Sequence, residues 1–209
     1  MRQIKEKARS VLGVIGLAPL VAVLGLAGCA VGPGPSSQAP GALPAAGQTS
    51  STSQQAVQRD ISAVAGATRV DAASNQIRYT TRDVTLVVVG APPGREGEYW
   101  QVDGRVNPTV IVPAGARMRV EVVNGDPDMP HGWLLTTSAP PYGRMPMMGG
   151  MYGGMATYAV VAPLPATGGS AGWPMSTLDF TAPAAGVYYY ICQVPDHAEE
   201  GMWGKLIVE

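Results

Sequence analysis

The sequence predicts an all-β fold, a sandwich of two sheets preceded by an N-terminal signal and a flexible linker. Short runs rich in Val, Ile and Tyr recur along residues 77–209, and turns containing Gly and Pro separate them. Almost no segment has the long 3.6-residue period of a helix. In residues 118–123, apolar Met and Val alternate with Arg and Glu, which is the period of a strand with one buried and one solvated face. Many short strands with Gly/Pro turns favour a sandwich.

Residues 1–28 are predicted to be an export signal. Four basic side chains lie in the first nine residues, and the apolar stretch of residues 11–26 is too short and too interrupted for a membrane-spanning helix. It ends in Leu-Ala-Gly before Cys29, which is similar to the lipobox of bacterial lipoproteins, in which the Cys is acylated and becomes the mature N-terminus. The alternatives are an ordinary secretory signal with an incidental Cys, or an uncleaved anchor. In each case the chain leaves the cytoplasm.

Residues 29–55 are predicted to be a flexible linker, because Gly, Pro, Ser, Ala and Gln dominate and little apolar surface can be buried. About 26 such residues would span roughly 25–30 Å. The folded domain is predicted to occupy residues 56–209. It begins with a short helix in residues 56–66, where Val57 and Ile61 share one face with Val64.

Seven strands are predicted in this domain, each bounded by turn residues. They are residues 77–80, 84–89, 109–112, 118–123, 133–137, 187–191 and 205–209. A segment of roughly 130 to 150 residues is a normal size for one domain with its own core.

The run from Cys192 to Met202 carries the most informative chemistry. Cys192, His197 and Met202 follow one another at intervals of five residues between two predicted strands. A thiolate and a thioether suit Cu(I), whereas imidazole binds both Cu(I) and Cu(II), and a His₂Cys site with a weak axial Met is the electron-transfer copper pattern. A tight loop, relieved by Gly201 and Gly204, can turn the three side chains toward one point. Alternatively, Cys192 is a small buried hydrophobe, His197 a surface residue and Met202 part of the core.

The second imidazole of such a site must come from His131, because the chain contains only two His. His131 lies where a loop enters a predicted strand; the alternative is a solvated loop residue. If Cys29 carries lipid, Cys192 is the only remaining Cys. A lone thiol in an oxidising compartment is exposed to oxidation unless something such as a metal occupies it.

These segments resemble the cupredoxins and, within them, the rusticyanin-like blue copper proteins. The matching segments run from Val-Pro-Ala-Gly at 112–115 to Pro-His131, and from Ala-Gly-Val-Tyr-Tyr-Tyr-Ile-Cys192 to Gly-Lys-Leu-Ile-Val208. The resemblance covers about residues 75–209. It implies a cupredoxin-like Greek-key sandwich with one type 1 copper per chain.

The resemblance also implies roles for individual residues. His131, Cys192 and His197 are the expected equatorial ligands, Met202 is the expected axial ligand, and His197 is the expected exposed path for the electron. The family implies a one-electron carrier in a respiratory chain, with partners such as a c-type cytochrome or a terminal oxidase. The residue after the first His is Gly132, so that position has no side chain that could hold the loop between Cys192 and Met202, here called the ligand loop.

A Met-rich segment follows within the domain. Its thioethers belong to Met145, Met147, Met148, Met151 and Met155. This soft-sulfur cluster is a candidate secondary Cu(I) site or a docking surface, and the alternative is an adaptable apolar loop over the sandwich end. The second functional hypothesis is therefore a copper-handling lipoprotein, a chaperone or resistance factor that uses this segment.

Composition excludes several classes of function. Removing residues 1–28 takes away four basic residues and one acid, which moves the formal charge from −1 to −4, so no nucleic-acid partner is expected. Two His cannot supply the ligands of a separate catalytic copper, so we expect no enzyme. A binuclear electron-transfer copper centre is also excluded, because it needs two nearby Cys. We expect a monomer that is exported, periplasmic or otherwise extracytoplasmic, and bound to a membrane through the lipid on Cys29. Ala30 is not the Asp of an inner-membrane retention signal.

Overall fold

The structure is a computed structural model that describes residues 49–146 and 156–209. The described residues all belong to one compact unit. Their secondary structure includes one complete α-helix and thirteen strands. In chain order these are β1 (Thr49–Ser53), α1 (Gln54–Val64), a 3₁₀ turn (Ala65–Ala67), β2 (Thr68–Asp71), β3 (Gln76–Tyr79), β4 (Asp83–Gly90), β5 (Trp100–Val102), β6 (Arg105–Val106), β7 (Thr109–Val112), β8 (Arg117–Asn124), β9 (His131–Thr136), β10 (Thr157–Leu164), β11 (Gly172–Thr181), β12 (Gly186–Cys192) and β13 (Trp203–Val208).

The described strands form two sheets. Sheet I has the order β1-β11-β8-β4-β5-β6, and sheet II has the order β10-β9-β12-β13-β7-β3-β2. In sheet II, β12 is antiparallel to both of its neighbours, β9 and β13, while β13 is parallel to β7. The middle of sheet II therefore brings the end of β12 beside the start of β9.

One apolar core lies between the two sheets. Leu86 and Val120 of sheet I belong to the same buried cluster as Val110, Leu135 and Tyr190 of sheet II. Burying these side chains on two facing sheets is the main stabilising contribution, at about 25 cal/mol per Å² of apolar surface. The predicted all-β sandwich is confirmed.

The uninterrupted apolar run of β4 has a specific cause. Val88 points into the core between the sheets, whereas Val87 and Val89 point to the opposite face, where they pack against Val57 of α1 and against Trp173. Because α1 covers this outer face of sheet I, β4 is buried on both sides. A strand covered on both faces loses the polar-apolar alternation seen in β8.

The folded domain includes residues that the sequence analysis places in the linker. Residues 49–55 were assigned to the linker, whereas the structure places 49–53 in β1, paired with β11, and starts α1 at Gln54. The Ser53 side chain caps the helix by accepting a hydrogen bond from the Ala56 N–H at 3.2 Å. A Ser/Thr pentapeptide has no apolar alternation, so only its pairing with a distant strand makes it a strand.

Two long strands were not predicted, β10 and β11. β11 contains Gly172 and Pro174 together with several Ser and Thr residues, which hide its buried positions Trp173 and Leu178. It is nevertheless held by β8 on one side and β1 on the other. The short strands β1, β2, β5 and β6 were also missed. Among residues 49–146 and 156–209, no helix has the length and hydropathy that a membrane crossing requires.

Candidate metal centre

The four predicted ligand residues lie at one end of sheet II. His131 is the first residue of β9, and Cys192 is the last residue of its antiparallel neighbour β12. His197 and Met202 lie in the loop of residues 193–202 that joins β12 to β13. Strand pairing thus brings His131 to the start of the loop that carries the other residues.

Three donor atoms converge in the interior. The Nδ1 atoms of His131 and His197 are 3.1 Å apart, and Cys192 Sγ lies 3.9 Å from the first and 3.5 Å from the second. All three side chains are buried. Metal bonds of about 2.0 Å to nitrogen and 2.3 Å to sulfur, at tetrahedral to trigonal angles, would separate such donors by roughly 3.3–3.7 Å. The observed separations bracket this range, so the donor set fits a metal ion.

Met202 is fully buried in the same apolar cluster as Cys192. Its backbone closes the loop, because the Met202 N–H donates to the His197 carbonyl at 2.8 Å and the Cys192 N–H donates to the Met202 carbonyl at 3.0 Å. The positions of Cys192, His197 and Met202 are therefore coupled through main-chain hydrogen bonds.

The two glycines of this loop have different roles. Gly201 adopts a φ of 109°, which a side chain would strain, so it relieves the backbone as predicted. Gly204 lies in β13 instead, and a β-carbon there would collide with the Tyr190 ring. The Tyr190 hydroxyl donates to the Pro108 carbonyl at 2.5 Å, so the ring cannot easily move aside.

Burial sets the protonation of the donors. It lowers the pKa of His131 and the pKa of His197, so both imidazoles are neutral near pH 7 and can bind a metal. Burial raises the pKa of Cys192 to about 11, so the free thiol keeps its proton. A metal ion would have to displace that proton.

Two carboxylates beside His131 were missed as site residues. Asp126 Oδ2 lies 3.0 Å from His131 Nε2, and Glu98 Oε2 lies 3.5 Å both from that nitrogen and from His197 Nδ1. Burial, and then the charges of Asp126 and Glu200, raise the pKa of Glu98 to about 7. Asp126 lies only five residues before His131 in the same loop, so its position in the sequence could have indicated a contact with that ligand. Glu98 lies in a Gly/Pro-rich segment far from both His residues, where no pattern indicates a role in the site.

Burial raises the pKa of Asp126, but hydrogen bonds outweigh that effect. The carboxylate accepts from the backbone N–H groups of Asp128 and Met129 and from His131, and the pKa of Asp126 consequently lies below its ordinary value. A buried, ionised carboxylate therefore faces the outer edge of the His131 ring.

The expectation that His197 is exposed is wrong. Its exposed fraction is 3%, because the loop folds its ring inward beside His131 and Cys192. Glu199 and Glu200 are exposed on the same loop.

Several predicted residues lie outside the described part of the chain: Cys29, Met147, Met148, Met151 and Met155. Met145 is described and its side chain is exposed. The preceding Arg144 connects this segment to the ligand loop, since its side chain pairs with Asp196 at 2.8 Å and its carbonyl accepts from the Asp196 N–H at 2.7 Å.

Comparison with known proteins points to one family. Residues 72–209 match the sulfocyanin (SoxE) domain family. The rusticyanin of Acidithiobacillus ferridurans is 32% identical over 165 residues, which cover 78% of this chain and 83% of the relative. A rusticyanin of Acidithiobacillus ferrooxidans is 34% identical over 134 residues, covering 64% of this chain and 67% of the relative.

Solved structures of rusticyanin are similar to this chain as well. The 1.27 Å structure of rusticyanin from Thiobacillus ferrooxidans has a TM-score of 0.67 at 26% identity and covers 80% of this chain and 100% of that chain. Another rusticyanin structure, described as that of a copper protein, has a TM-score of 0.65 at 26% identity and covers 78% and 98%. This likeness confirms the predicted cupredoxin-like sandwich.

Proposed function

This chain belongs to the sulfocyanin (SoxE) family, and we propose that it is a blue copper protein that carries single electrons on one type 1 copper ion. His131, Cys192 and His197 are the proposed equatorial ligands and Met202 the proposed axial ligand. The observation that carries the proposal is the buried convergence of two imidazole Nδ1 atoms and one thiol at 3.1–3.9 Å.

The donor types favour copper over other metals. A neutral imidazole pair with one thiolate and a thioether suits an ion that alternates between Cu(II) and Cu(I), because soft sulfur favours the reduced ion and imidazole accepts both. Copper bound here would supply a one-electron couple. Among the described residues, the other group with metal-ligating atoms in reach is Glu98, Asp126 and His131, and it shares His131 with this site.

The protein's task in such a carrier is to hold the donors in one geometry. His131 and Cys192 are held by the ladder between β9 and β12, and the ligand loop is closed by the backbone bonds at Cys192 and Met202. Packing against Trp100, 6.0 Å from the His131 ring, limits rotation of that ring. Donors that cannot move keep reorganisation small when the charge changes.

Burial supports the same role. His131, Cys192 and Met202 have no exposed surface, so water cannot reach these positions and replace a ligand. Both His of the chain are used in this one site. A second, catalytic copper with its own His ligands would have none left, so the proposal is a carrier and not an enzyme.

The cellular setting is part of the proposal and rests on the sequence. We infer an exported, periplasmic or extracytoplasmic protein, lipidated on Cys29 and tethered to a membrane by the linker that precedes the folded domain. We expect redox partners such as a c-type cytochrome or a terminal oxidase, because the resemblance implies a one-electron carrier in a respiratory chain. Their docking surface would include the end of the molecule that carries the ligand loop.

The test is visible absorption and EPR spectroscopy of the full chain with one equivalent of Cu(II). We expect an intense thiolate-to-copper band, bleached reversibly by one electron. Cys192→Ala should abolish the band. A control variant with Leu at Met145, Met147, Met148, Met151 and Met155 should keep it.

The alternative function is copper handling by the Met-rich segment, whose described member, Met145, is exposed. A colourless protein that takes up several Cu(I) ions and retains most of them in Cys192→Ala, but not in the five-Leu variant, would overturn the electron carrier. A single copper whose binding depends on Cys192 supports it.

A further inference from the structure

The outer nitrogen of the His131 ring is anchored by a carboxylate. While His131 Nδ1 faces Cys192 and His197, the opposite ring nitrogen, Nε2, lies 3.0 Å from Asp126 Oδ2. The other acidic group facing the ring is Glu98, whose Oε2 is 3.5 Å from Nε2, a longer contact. Asp126 therefore makes the hydrogen bond.

Asp126 is itself immobilised. Its Oδ1 accepts from the Asp128 N–H at 2.7 Å and from the Met129 N–H at 3.0 Å. Its own N–H donates to Asn124 Oδ1 at 2.9 Å, and its carbonyl accepts from the Thr167 N–H at 2.8 Å. Both oxygens of the carboxylate and both backbone groups are thus engaged, and Oδ2 is left aimed at His131.

This arrangement dictates which ring nitrogen carries the hydrogen. A carboxylate that accepts several hydrogen bonds is favoured in its ionised form, which can only accept. The hydrogen between Asp126 and His131 must then belong to Nε2. Nδ1 consequently presents its lone pair to Cys192 and His197, as a metal ligand requires.

We propose that Asp126 is a positioning residue that holds His131 in the Nε2–H tautomer and favours Cu(II) over Cu(I) at the site. The second half of this inference rests on the proposed copper function. The physical reason is that a carboxylate bonded to a ligating imidazole makes it more basic and adds negative charge near the metal, which stabilises the more highly charged ion.

Asp126→Asn is the informative change, because the amide keeps the shape and reverses one hydrogen bond. With Oδ1 still accepting from Asp128 and Met129, the amide NH₂ would face His131 Nε2 and could only donate to it. The ring must then carry its hydrogen on Nδ1, the atom that points at Cys192. Asp128→Asn is the matched control, since it removes the same charge from the same loop and Asp128 is exposed.

The first readout needs no copper. Nitrogen-15 NMR of the copper-free protein should show His131 as the Nε2–H tautomer in the wild type and in Asp128→Asn, and as the Nδ1–H tautomer in Asp126→Asn. A wild-type His131 found as the Nδ1–H tautomer would overturn the inference, and this measurement decides even if Asp126→Asn does not fold.

The second readout is copper binding and redox titration. Loss of an outer-sphere partner should weaken Cu(II) binding about 10–100-fold. If Cu(II) binding weakens tenfold more than Cu(I) binding, the reduction potential rises by about 59 mV for this one-electron couple. If the reduction potential of Asp126→Asn equals that of Asp128→Asn, the proposed preference for Cu(II) is refuted. Absence of the blue band in the wild type would instead refute the proposed function, and the tautomer result would still stand.

Discussion

The side chain of Gln193 lies over Gly132 and occupies the space that a β-carbon there would need. A β-carbon on Gly132 would lie 2.7 Å from Gln193 Nε2 and 3.0 Å from the Pro163 nitrogen. The Gln193 N–H donates to the Gly132 carbonyl at 3.1 Å, and its Nε2 donates to the Val161 carbonyl at 3.1 Å. Gln193, the residue after Cys192, thus connects the loop of residues 193–202 to β9 and β10. The connecting side chain comes from this loop and not from position 132.

Gly132→Ala should break this connection. The new methyl group displaces the Gln193 amide and presses on the backbone of β10, which cannot move freely. We expect the free energy of unfolding to fall by about 1–3 kcal/mol, as for overpacking elsewhere. Denaturant titration measures it, with Gln193→Ala as comparison. An unchanged free energy of unfolding in Gly132→Ala would contradict this prediction and show that the β10 backbone moves to accommodate the methyl group.

Gly90→Ala should disturb His131 directly. A β-carbon on Gly90 would lie 2.9 Å from two ring carbons of His131, and the buried ring would have to shift. We expect a loss of about 1–3 kcal/mol and an altered EPR spectrum of the copper form. Gly66→Ala is the control, because nothing lies within 4 Å of its β-carbon. Identical spectra for the two variants would contradict this prediction.

Asp103 should make the domain lose stability as pH rises. Burial raises the pKa of Asp103 from 3.8 to about 6. The Tyr79 hydroxyl lies within donating distance of both Asp103 Oδ2 and, at 2.7 Å, the Thr85 carbonyl. Once Asp103 is protonated, the acid can donate to that hydroxyl, whose own hydrogen is then free for Thr85. Because the folded state holds this proton longer than the unfolded state, the contribution is fully present below about pH 4 and is lost by about pH 6. The loss is at most about 3 kcal/mol.

Asp103→Asn tests this pH dependence. The amide can accept from the Val87 N–H, as Asp103 does at 3.0 Å, and can donate to Tyr79, so it mimics the protonated acid. The free energy of unfolding of this variant should fall less between pH 4 and 6 than that of the wild type. Asp128→Asn should follow the wild type. Parallel curves for all three proteins would assign the pH dependence to other groups.

Met202→Leu should change the copper site without loosening the core. The swap conserves volume, so we expect a stability cost below about 1.5 kcal/mol. If the thioether is the axial ligand, its loss removes a donor and raises the reduction potential. Met118→Leu, a buried Met of the same cluster, is the matched control. Equal potentials in the two variants would exclude Met202 as a ligand.

Cys29→Ser should release the protein from the membrane. An acyl chain contributes about 0.8 kcal/mol per buried CH₂ group, and the variant has no thiol to acylate. We expect the wild type in the membrane fraction with a lipid-modified N-terminal Cys29 by mass spectrometry, and the variant in the soluble fraction. A mature wild-type protein without lipid would refute the tether.

Much of the fold was readable from the sequence because its signals are local. The alternation in β8 and the apolar run of β12 each describe one strand and its buried face, and both were confirmed. β1 and β11 were not readable, because their strand pairing comes from partners far along the chain. Ser/Thr-rich segments have no hydrophobic period of their own.

Residue identity and spacing were enough to list the donors: two His, one Cys besides the predicted lipidation site Cys29, and a Met spaced for one loop. How these donors are arranged in space came from the fold. It turned His197 inward, set the 3.1–3.9 Å separations, and brought Asp126 and Glu98 against His131. Residue spacing limits which side chains can meet in one loop. Burial, ring orientation and the approach of the sequence-distant Glu98 depend on how the two sheets pack, which residue spacing does not encode.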